Sequence, residues 1–536
     1  MASTDAITDP NSPEYAAVVA EGYTFPGESI TIGALVQGDD ATESAQVRLP
    51  LKMMNRHGLV AGATGTGKTR TLQGLAESLS DAGVPVFVTD IKGDLSGMAV
   101  PGEQKDFIDK RAADIGQDWS ARAYPVEFYA LGGIGKGVPI RTTVTDFGPL
   151  LMSKVLGLSD VQESALGLVF HWADTQGLAL LDLKDLRAVI EFLDSEEGKP
   201  ELKTVGGVSA ATAGVLLREI ANLQAQGADD FFGEPAFTTT DLLALAPDGR
   251  GVISCLELPD LQDRPRLFST FIMWLLADLF HDLPEVGDPD KPKLVFFFDE
   301  AHLLFTDASK EFLTQVTQTV RLIRSKGVGV FFVTQTPKDV PSDVLGQLGS
   351  RVQHALRAFT PDDAKAMKAT ANTFPLSPYD LEHVLTSMGI GEAAVTVLSD
   401  KGAPTPVAWT RLCAPRGLMD VAPEGTIEAT VKASPRSAQY GQVIDRESAY
   451  EMLTARVAAH DTEVADQAAS EARAKEEASA ARSTGAASSG GSRSRRPEKS
   501  VVEKVISSQP VKSFARQAGR EIGNQILRSL FGTRSR

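Results

Sequence analysis

The feature that most constrains this sequence is a glycine-rich octapeptide between two apolar runs. The phosphate-loop pattern G-x-x-x-x-G-K-[ST] is matched at every fixed position by Gly62-Ala63-Thr64-Gly65-Thr66-Gly67-Lys68-Thr69. The run Gly58–Ala61 before it is predicted to be a strand, leucines at helical spacing follow Arg70, and a second strand is predicted at 84–89. This order of strand, loop, helix and strand predicts an α/β fold built on a mainly parallel sheet with helices on both faces.

The chemistry of such a loop depends on its backbone. Glycines let it wrap around phosphates so that consecutive N–H groups point inward, and the following helix adds its positive N-terminal end. Lys68 is predicted to reach the β- and γ-phosphates of ATP, and Thr69 to ligate Mg²⁺. A flexible Gly/Thr turn is the alternative interpretation, and the flanking strand and helix disfavour it.

Two carboxylates follow the most apolar predicted strand. The run Leu294-Val295-Phe296-Phe297-Phe298 does not alternate, which predicts a central strand that is buried on both faces. Asp299 and Glu300 come directly after it, at the strand end where open α/β sheets bind ligands. We assign Asp299 to the metal ion and Glu300 to the attacking water, with a solvated acidic turn as the alternative. His302 is interpreted as a residue that packs in the core or supports a neighbouring site residue, and it is given no role in the chemistry.

A polar amide ends the next predicted strand, which covers 329–333. Gln335 could there contact both the γ-phosphate and the lytic water, and a turn residue before Pro337 is the open alternative. An arginine supplied by a neighbouring subunit would suit γ-phosphate charge at an interface. Arg351 is our first candidate for this arginine finger, and a plain surface arginine stays the alternative at each of Arg321, Arg324, Arg351 and Arg357.

The segment Asp90-Ile91-Lys92-Gly93-Asp94 follows the second predicted strand at the same edge of the sheet. It either lines the active site or forms a plain turn between strand and helix. The sequence does not decide between the two, so these residues carry no assigned role.

Composition narrows the function classes. The 536 residues carry a formal net charge of -17, which argues against a protein that coats nucleic acid or anionic membrane with its whole surface. Two cysteines exclude a disulfide framework and a cysteine-based metal site. No signal peptide pattern is present at the start, and the apolar stretch 268–280 is too short to span a bilayer, so a cytoplasmic protein is expected.

Periodicity and composition also divide the chain. Helical spacing marks an insertion in which Ser209 is a predicted N-cap, and Ala, Ser and Gly mark a later linker. The predicted organisation is a small β-rich segment at 1–45, the first part of a nucleotide-binding core at 46–145, a helical insertion at 146–234, the second part of the core at 235–415, a C-terminal extension at 416–460, a flexible linker at 461–500 and a basic amphipathic helix at 501–536. Within the linker, transient helix near 471–481 is the alternative left open.

The tail differs from the body in charge. Residues 493–536 hold eleven Lys/Arg and three Asp/Glu, a net charge of +8, which leaves -25 on the rest of the chain. Apolar residues at three- and four-residue spacing, with basic residues off that stripe, predict an amphipathic helix. Contact with a membrane is expected only through this helix, which could equally pack on the body or on a protein partner.

Several of these stretches together resemble one known group of proteins. They are similar to the HerA/FtsK group of ring-forming P-loop ATPases, and more narrowly to bacterial proteins with a helicase HerA-like C-terminal domain. The resemblance extends from about residue 20 to 455 and recurs in the tail. The stretches that carry it are Arg56–Thr69, Phe297–His302, Thr334–Pro337, Gly148–Leu151, Leu181–Leu186, Phe231–Pro235 and Leu356–Pro361.

The resemblance implies a RecA-like core in a homo-hexameric ring, with the catalytic glutamate on the strand next to that of the phosphate loop. It also implies the roles given above to Lys68, Thr69, Asp299, Glu300 and Gln335. HerA itself is a double-stranded-DNA translocase that works with a partner nuclease. Duplex DNA and a nuclease or other protein are therefore the partners implied.

Two functions stay open on the sequence. In the first, the ring is an ATP-driven motor on duplex DNA, whose phosphates meet a basic pore formed between Lys310 and Lys338. The same lysines and arginines could instead be a solvated helix face. In the second, the ATPase ring acts on a protein partner or a membrane-associated assembly. A protein that binds nucleotide without turnover is disfavoured by the presence of Glu300 and Gln335.

Overall fold

One sheet organises the fold of the computed structural model, which describes residues 9–204, 206–261, 264–305 and 310–484. Within these ranges the sheet has twelve strands. In chain order they are β1 (Ser29–Gln37), β2 (Asp40–Pro50), β3 (Gly58–Ala61), β4 (Val86–Asp90), β5 (Val126–Leu131), β6 (Val138–Ile140), β7 (Ile253–Glu257), β8 (Leu294–Phe298), β9 (Val328–Thr334), β10 (Ser350–His354), β11 (Glu392–Thr396) and β12 (Ala408–Leu412).

The sheet has a parallel part and an antiparallel part. Its spatial order is β2-β1-β12-β11-β10-β3-β9-β8-β4-β7-β5-β6. From β10 to β6 all neighbouring strands run parallel. From β10 to β2 they run antiparallel. The expected mainly parallel α/β fold is confirmed, and it carries an antiparallel extension that includes both strands of the N-terminal segment.

Helices cover both faces of the sheet. Ser209 caps the helix at Ala210–Gln224 as predicted, because its side chain accepts a hydrogen bond from the Thr212 N–H. The helices are α1 (Pro13–Gly22), α2 (Lys68–Asp81), α3 (Asp106–Ile115), α4 (Val144–Val155), α5 (Asp160–Thr175), α6 (Leu183–Asp194), α7 (Lys199–Thr204), α8 (Ala210–Gln224), α9 (Pro265–Asp282), α10 (His302–Phe305), α11 (Lys310–Ile323), α12 (Ser342–Leu345), α13 (Pro361–Ala371), α14 (Leu381–Ser387), α15 (Thr426–Ala433), α16 (Pro435–Tyr440) and α17 (Ala449–Thr484).

Strand β8 shows how the two faces are filled. Its side chains alternate between two apolar clusters, with Leu294, Phe296 and Phe298 in one and Val295 and Phe297 in the other. Every residue of the strand is buried. The prediction of a central strand buried on both faces is therefore confirmed, and the carboxylates that follow it emerge from the middle of the sheet.

The strand order corrects one expectation and confirms another. Strand β9 lies between β3 and β8, with Ala61 opposite Thr334 and Phe298 opposite Phe332. The catalytic-glutamate strand is thus not next to the phosphate-loop strand, so that expectation is wrong. Strand β9, which ends at Thr334 just before Gln335, does lie beside β8, as predicted. It places the amide between the loop and the two carboxylates.

The last described part of the chain is helical. Helix α17 continues to Thr484, through the first part of the segment for which the sequence predicts a flexible linker. This range includes 471–481, where the sequence left helix open, and the high helix propensity of Ala, Glu, Arg and Lys accounts for the greater length of α17. The chain divides into one unit that ends at Val457 and a second that begins at Ala458. The predicted amphipathic helix at 501–536 lies outside the described residues.

None of the described helices combines the length and the apolar composition that a membrane span requires.

Candidate active site

The phosphate loop connects β3 to α2 and touches the neighbouring strand β10. A Cβ on Gly62 would lie 2.5 Å from the Cβ of His354, so only glycine fits this approach. Gly67 has a φ of +107°, a conformation that favours glycine at the point where the loop enters the helix.

The His354 ring is buried, and its Nε2 lies 3.0 Å from Thr71 Oγ1 in the first turns of α2. The sequence analysis missed this histidine, because only strand pairing brings β10 to the loop.

Lys68 is folded back over its own loop. Its Nζ donates hydrogen bonds to the carbonyl oxygens of Gly62 at 2.6 Å and Ala63 at 3.1 Å. Burial lowers the pKa of the Lys68 ammonium, and the nearby Glu300 carboxylate opposes that shift. The ammonium therefore lies inside the loop, at the place where phosphates would bind. The neighbouring Thr69 lies in the first turn of α2. The loop as folded fits the phosphates of a nucleotide.

Asp299 presents an unpaired oxygen at the end of β8. Its backbone N–H donates to Thr89 Oγ1 of β4 at 3.0 Å, which fixes the start of the turn. Its Oδ2 is buried and has no hydrogen-bond partner among the described residues. Burial and the charge of Glu300 raise the pKa of Asp299 to about 7. An unpaired buried carboxylate oxygen beside a threonine-bearing phosphate loop suits a divalent cation such as Mg²⁺.

Glu300 is held in an uncommon backbone conformation. Its φ is +45°, and only one other non-glycine residue of the described chain, His57, has a positive φ. Its carboxylate binds the Lys92 ammonium through Oε1 and lies 3.3 Å from His302 Nδ1 through Oε2. Burial acts to raise the pKa of Glu300, but Lys92 and His302 outweigh it and hold the pKa below its ordinary value. The side chain is thus a charged acceptor at pH 7.

The segment after β4 contains both a turn residue and a site residue. The Asp90 carboxylate accepts hydrogen bonds from the backbone N–H groups of Gly93, Asp94 and Leu95, so it builds the turn. Lys92 extends from the same turn to Glu300. The interpretation as a turn therefore applies to Asp90, and the interpretation as part of the active site applies to Lys92. The sequence signal for Lys92 is its position two residues after the end of β4, the strand that pairs with β8.

Gln335 is exposed and lies between two cavities at the carboxyl edge of the sheet. One cavity, of about 320 Å³, is also lined by Ala63 and Thr64 of the loop. The other, of about 330 Å³, is also lined by His302 and Phe305. The amide is therefore positioned between the phosphate loop and the turn that carries Glu300.

The candidate arginines lie in different environments. Arg351 lies within β10, and its guanidinium donates to the hydroxyl and carbonyl oxygens of Thr373 on its own chain. Arg357 is exposed and lines the cavity that contains Ala63 and Gln335. Arg324 pairs with Asp288 at 3.5 Å, and Arg321 is exposed. The structure therefore brings Arg357, and not Arg351, to the phosphate loop of its own chain.

The basic residues considered for a pore are also separated. Lys326 Nζ donates to the Leu283 carbonyl oxygen at 2.8 Å and lies over the Phe280 ring. Lys310 and Lys338 are exposed, and Lys338 lines the cavity beside the phosphate loop. The contacts of Lys326 show that this basic residue packs against its own chain.

Similarity to known proteins extends over most of the chain. A family described as "Helicase HerA-like C-terminal" matches residues 36–536. The DNA double-strand break repair helicase HerA of Saccharolobus solfataricus is 22% identical over 378 residues, which are 70% of this chain and 67% of that protein. The bacterial conjugative coupling protein TrwB, in an unbound form, superposes with a TM-score of 0.50 at 15% identity, covering 76% of this chain and 94% of that one. That likeness shows the fold.

Proposed function

The chain belongs to the helicase HerA-like C-terminal family and is a P-loop ATPase, and on that premise we propose that it couples Mg²⁺-dependent ATP hydrolysis in a homo-hexameric ring to movement on duplex DNA. One juxtaposition supports the catalytic part most strongly. The phosphate loop with buried Lys68, the unpaired Oδ2 of Asp299 and the charged Glu300 all lie at the same edge of the sheet.

The phosphate loop binds and orients the substrate in this proposal. Loop N–H groups and the Lys68 ammonium hold the β- and γ-phosphates, and the ammonium leaves the loop carbonyls to do so. Thr69 and Asp299 are the residues that would hold Mg²⁺. When bound, this ion neutralises charge that develops on the phosphate oxygens.

Glu300 and Gln335 act on the water. The carboxylate of Glu300 accepts a hydrogen bond from the attacking water and takes its proton as the bond to the γ-phosphorus forms, while the bond from that phosphorus to the β,γ-bridging oxygen breaks and ADP leaves. The exposed amide of Gln335 lies between the loop and the Glu300 turn, where it can contact both water and γ-phosphate. Lys92 occupies Oε1 of Glu300, so water can bind that oxygen only when Lys92 yields the contact.

Ring formation would supply a further positive charge. A neighbouring subunit would bring an arginine to the γ-phosphate, the role predicted for Arg351 from the sequence. Arg351 is bonded to Thr373 within its own chain, so it would have to exchange that partner. Mass photometry of the full chain with ATP tests the ring, and a hexamer is the expected species.

Duplex DNA is the proposed substrate because the relative from Saccharolobus solfataricus is a DNA repair helicase. The acidic body restricts any DNA contact to a local basic surface or to the tail. A protein partner, such as a nuclease, or a membrane-associated assembly is the competing substrate. The cytoplasmic location expected from the sequence stays a prediction.

Steady-state ATP hydrolysis with and without duplex DNA tests the proposal. At low salt we expect duplex DNA to raise the rate, and the stimulation should fall as salt is added, because phosphate contacts release counterions. Lys68→Ala should lose hydrolysis in both conditions. Mg²⁺-dependent hydrolysis that ignores DNA would reject the DNA motor and leave the ATPase in place. Removal of residues 501–536 then tests whether the tail carries the DNA contact.

A further inference from the structure

A short segment beside the phosphate loop has no role in the chemistry described so far. It covers 388–391 and leads into β11. The Gly391 N–H donates to the Thr66 carbonyl oxygen at 2.9 Å. A Cβ on Gly67 would lie 3.1 Å from the Gly391 nitrogen. The segment therefore touches the loop along its second half, on the side where α2 begins.

One arginine fixes the position of this segment. Arg111 of α3 donates to the carbonyl oxygens of Gly391 at 3.0 Å, Ile390 at 2.9 Å and Leu412 at 3.2 Å. At the other end, the Gly389 N–H donates to the Glu392 carboxylate at 2.9 Å. The backbone of the segment is thus held on both sides, and its side chains project from a fixed support.

Ile390 is the apolar side chain on that support, and it is 74% exposed. A single exposed isoleucine is ordinary on a protein surface. Here its position matters, because the backbone on which it stands contacts the phosphate loop directly. A Cβ on its neighbour Gly391 would lie 3.1 Å from the Arg111 guanidinium, and one on Gly389 would lie 3.4 Å from the Glu392 carboxylate, so both glycines let these groups pack against the backbone.

The strand order decides which end of a bound nucleotide reaches this segment. Strands β9 and β8, which are followed by Gln335 and by Asp299-Glu300, lie on one side of β3. The γ-phosphate must point to that side, since the water-activating groups are there. The nucleoside end must then leave the loop toward the other side of β3, where β10 and β11 lie. His354 of β10 pairs with Ala393 of β11, so 388–391 stands at the same carboxyl edge.

We propose that Ile390 forms the apolar surface against which the base of the bound nucleotide packs, on the segment that Arg111 clamps beside the phosphate loop. This inference rests on the proposed function and adds a nucleoside subsite to it. The face of a base is flat and apolar, and an aliphatic side chain covers it without reading its edge. The ligand class is a nucleoside di- or triphosphate, and inorganic polyphosphate does not use this contact.

Equilibrium binding to two probes separates the base from the phosphates. Titration calorimetry with Mg²⁺ measures Kd for ADP and for inorganic tripolyphosphate on the full chain. The variants are Ile390→Ser, the conservative Ile390→Leu, and Val161→Ser as a control on α5, where Val161 is 73% exposed. We expect Ile390→Ser to weaken ADP about tenfold, which corresponds to about 1.4 kcal/mol, and to leave tripolyphosphate unchanged. Ile390→Leu and Val161→Ser should bind both probes like the wild type.

Three other outcomes overturn the inference. Unchanged ADP affinity in Ile390→Ser places the base elsewhere. Equal weakening of ADP and tripolyphosphate means that the substitution disturbs the loop and not a base contact. If the wild-type chain binds neither probe, the proposed function itself fails, and the nucleoside subsite fails with it. Thermal unfolding of each variant shows whether it is folded.

Discussion

Two buried glutamates flank the phosphate-loop strand, and they differ in how their oxygens are satisfied. Glu392, at the start of β11, accepts hydrogen bonds from Gly389 N–H at 2.9 Å, Trp409 Nε1 at 3.0 Å and Arg411 Nε at 3.1 Å. Glu300, on the other side of β3, has Lys92 on one oxygen and His302 at 3.3 Å from the other, and its φ is +45°. Burial alone therefore does not distinguish a functional carboxylate from a structural one.

The difference shows how the fold separates stability from chemistry. A buried carboxylate with several rigid donors stabilises its surroundings and has no capacity left for a ligand. A carboxylate on a strained turn, bound by a half-exposed lysine, can exchange that partner for water at small cost. The parallel part of the sheet thus holds the exchangeable carboxylate, and the antiparallel part holds the fixed one.

The largest expected effect is on turnover in Glu300→Gln. The amide cannot accept the proton of the attacking water, so kcat should fall by about 10²- to 10⁴-fold. Nucleotide affinity should stay within about twofold of the wild type, because Lys68 and the loop are untouched. Phosphate release and nucleotide titration measure the two quantities. Wild-type turnover in this variant would mean that another group activates the water.

Glu392→Gln should instead act on stability. Removing the charge that Arg411 and Trp409 contact should lower the free energy of unfolding by about 3 kcal/mol. Glu382→Gln, at an exposed position of α14, is the matched control and should change it by less than about 0.5 kcal/mol. Urea titrations measure both. Equal small changes in the two variants would contradict the structural role of Glu392.

A buried histidine, His57, immediately precedes β3, at the end of the strand away from the phosphate loop. It makes the free energy of unfolding depend on pH. His57 Nδ1 accepts the Val330 N–H at 3.0 Å, and burial lowers the pKa of His57 to about 4. The unfolded chain takes up this proton near pH 6.5 and the folded chain does not, so acid favours unfolding. From pH 7 to pH 5 this single group should cost about 2 kcal/mol of stability.

His57→Asn tests that cost. Asparagine keeps an acceptor for Val330, tolerates the positive φ of 60° and does not titrate. Its urea-unfolding free energy should therefore lose about 2 kcal/mol less than the wild type between pH 7 and pH 5. Identical pH slopes in the two proteins would show that His57 is not held neutral.

The smallest expected effect is in Lys92→Met. Without the ammonium on its carboxylate, Glu300 should be free to bind water more often, and basal hydrolysis should rise by about threefold, the scale of a part-exposed ion pair. Lys105→Met, at an exposed position, should leave the rate unchanged. A fall in rate would instead make Lys92 a required part of the site.

The local parts of the site are predictable from sequence, and the long-range ones are not. The loop from Gly62 to Thr69 is one contiguous pattern, and Asp299-Glu300 follows an apolar run that has to be central. The strand order is not predictable in this way, because the sequence of an apolar strand does not indicate which strands pair with it. The insertion of β9 between β3 and β8 therefore contradicted the resemblance-based expectation.

The same limit explains why the sequence leaves the role of Lys92 open and does not identify Arg111. Lys92 meets Glu300 across 208 positions of sequence, and Arg111 meets Gly391 across 280. These contacts form only when the intervening strands of the sequence are assembled in the sheet. A charge pattern within one segment cannot reveal them, and neither could it reveal that Arg351 is bonded to Thr373.

The contrast between the two glutamates is tested most directly by one paired measurement. Phosphate release at saturating ATP and Mg²⁺ is determined side by side for Glu300→Gln and Glu392→Gln, each normalised to its folded fraction. The account predicts that Glu392→Gln stays within about threefold of the wild-type kcat while Glu300→Gln falls at least about 100-fold below it. Equal losses in the two variants, or a larger loss in Glu392→Gln, would contradict it.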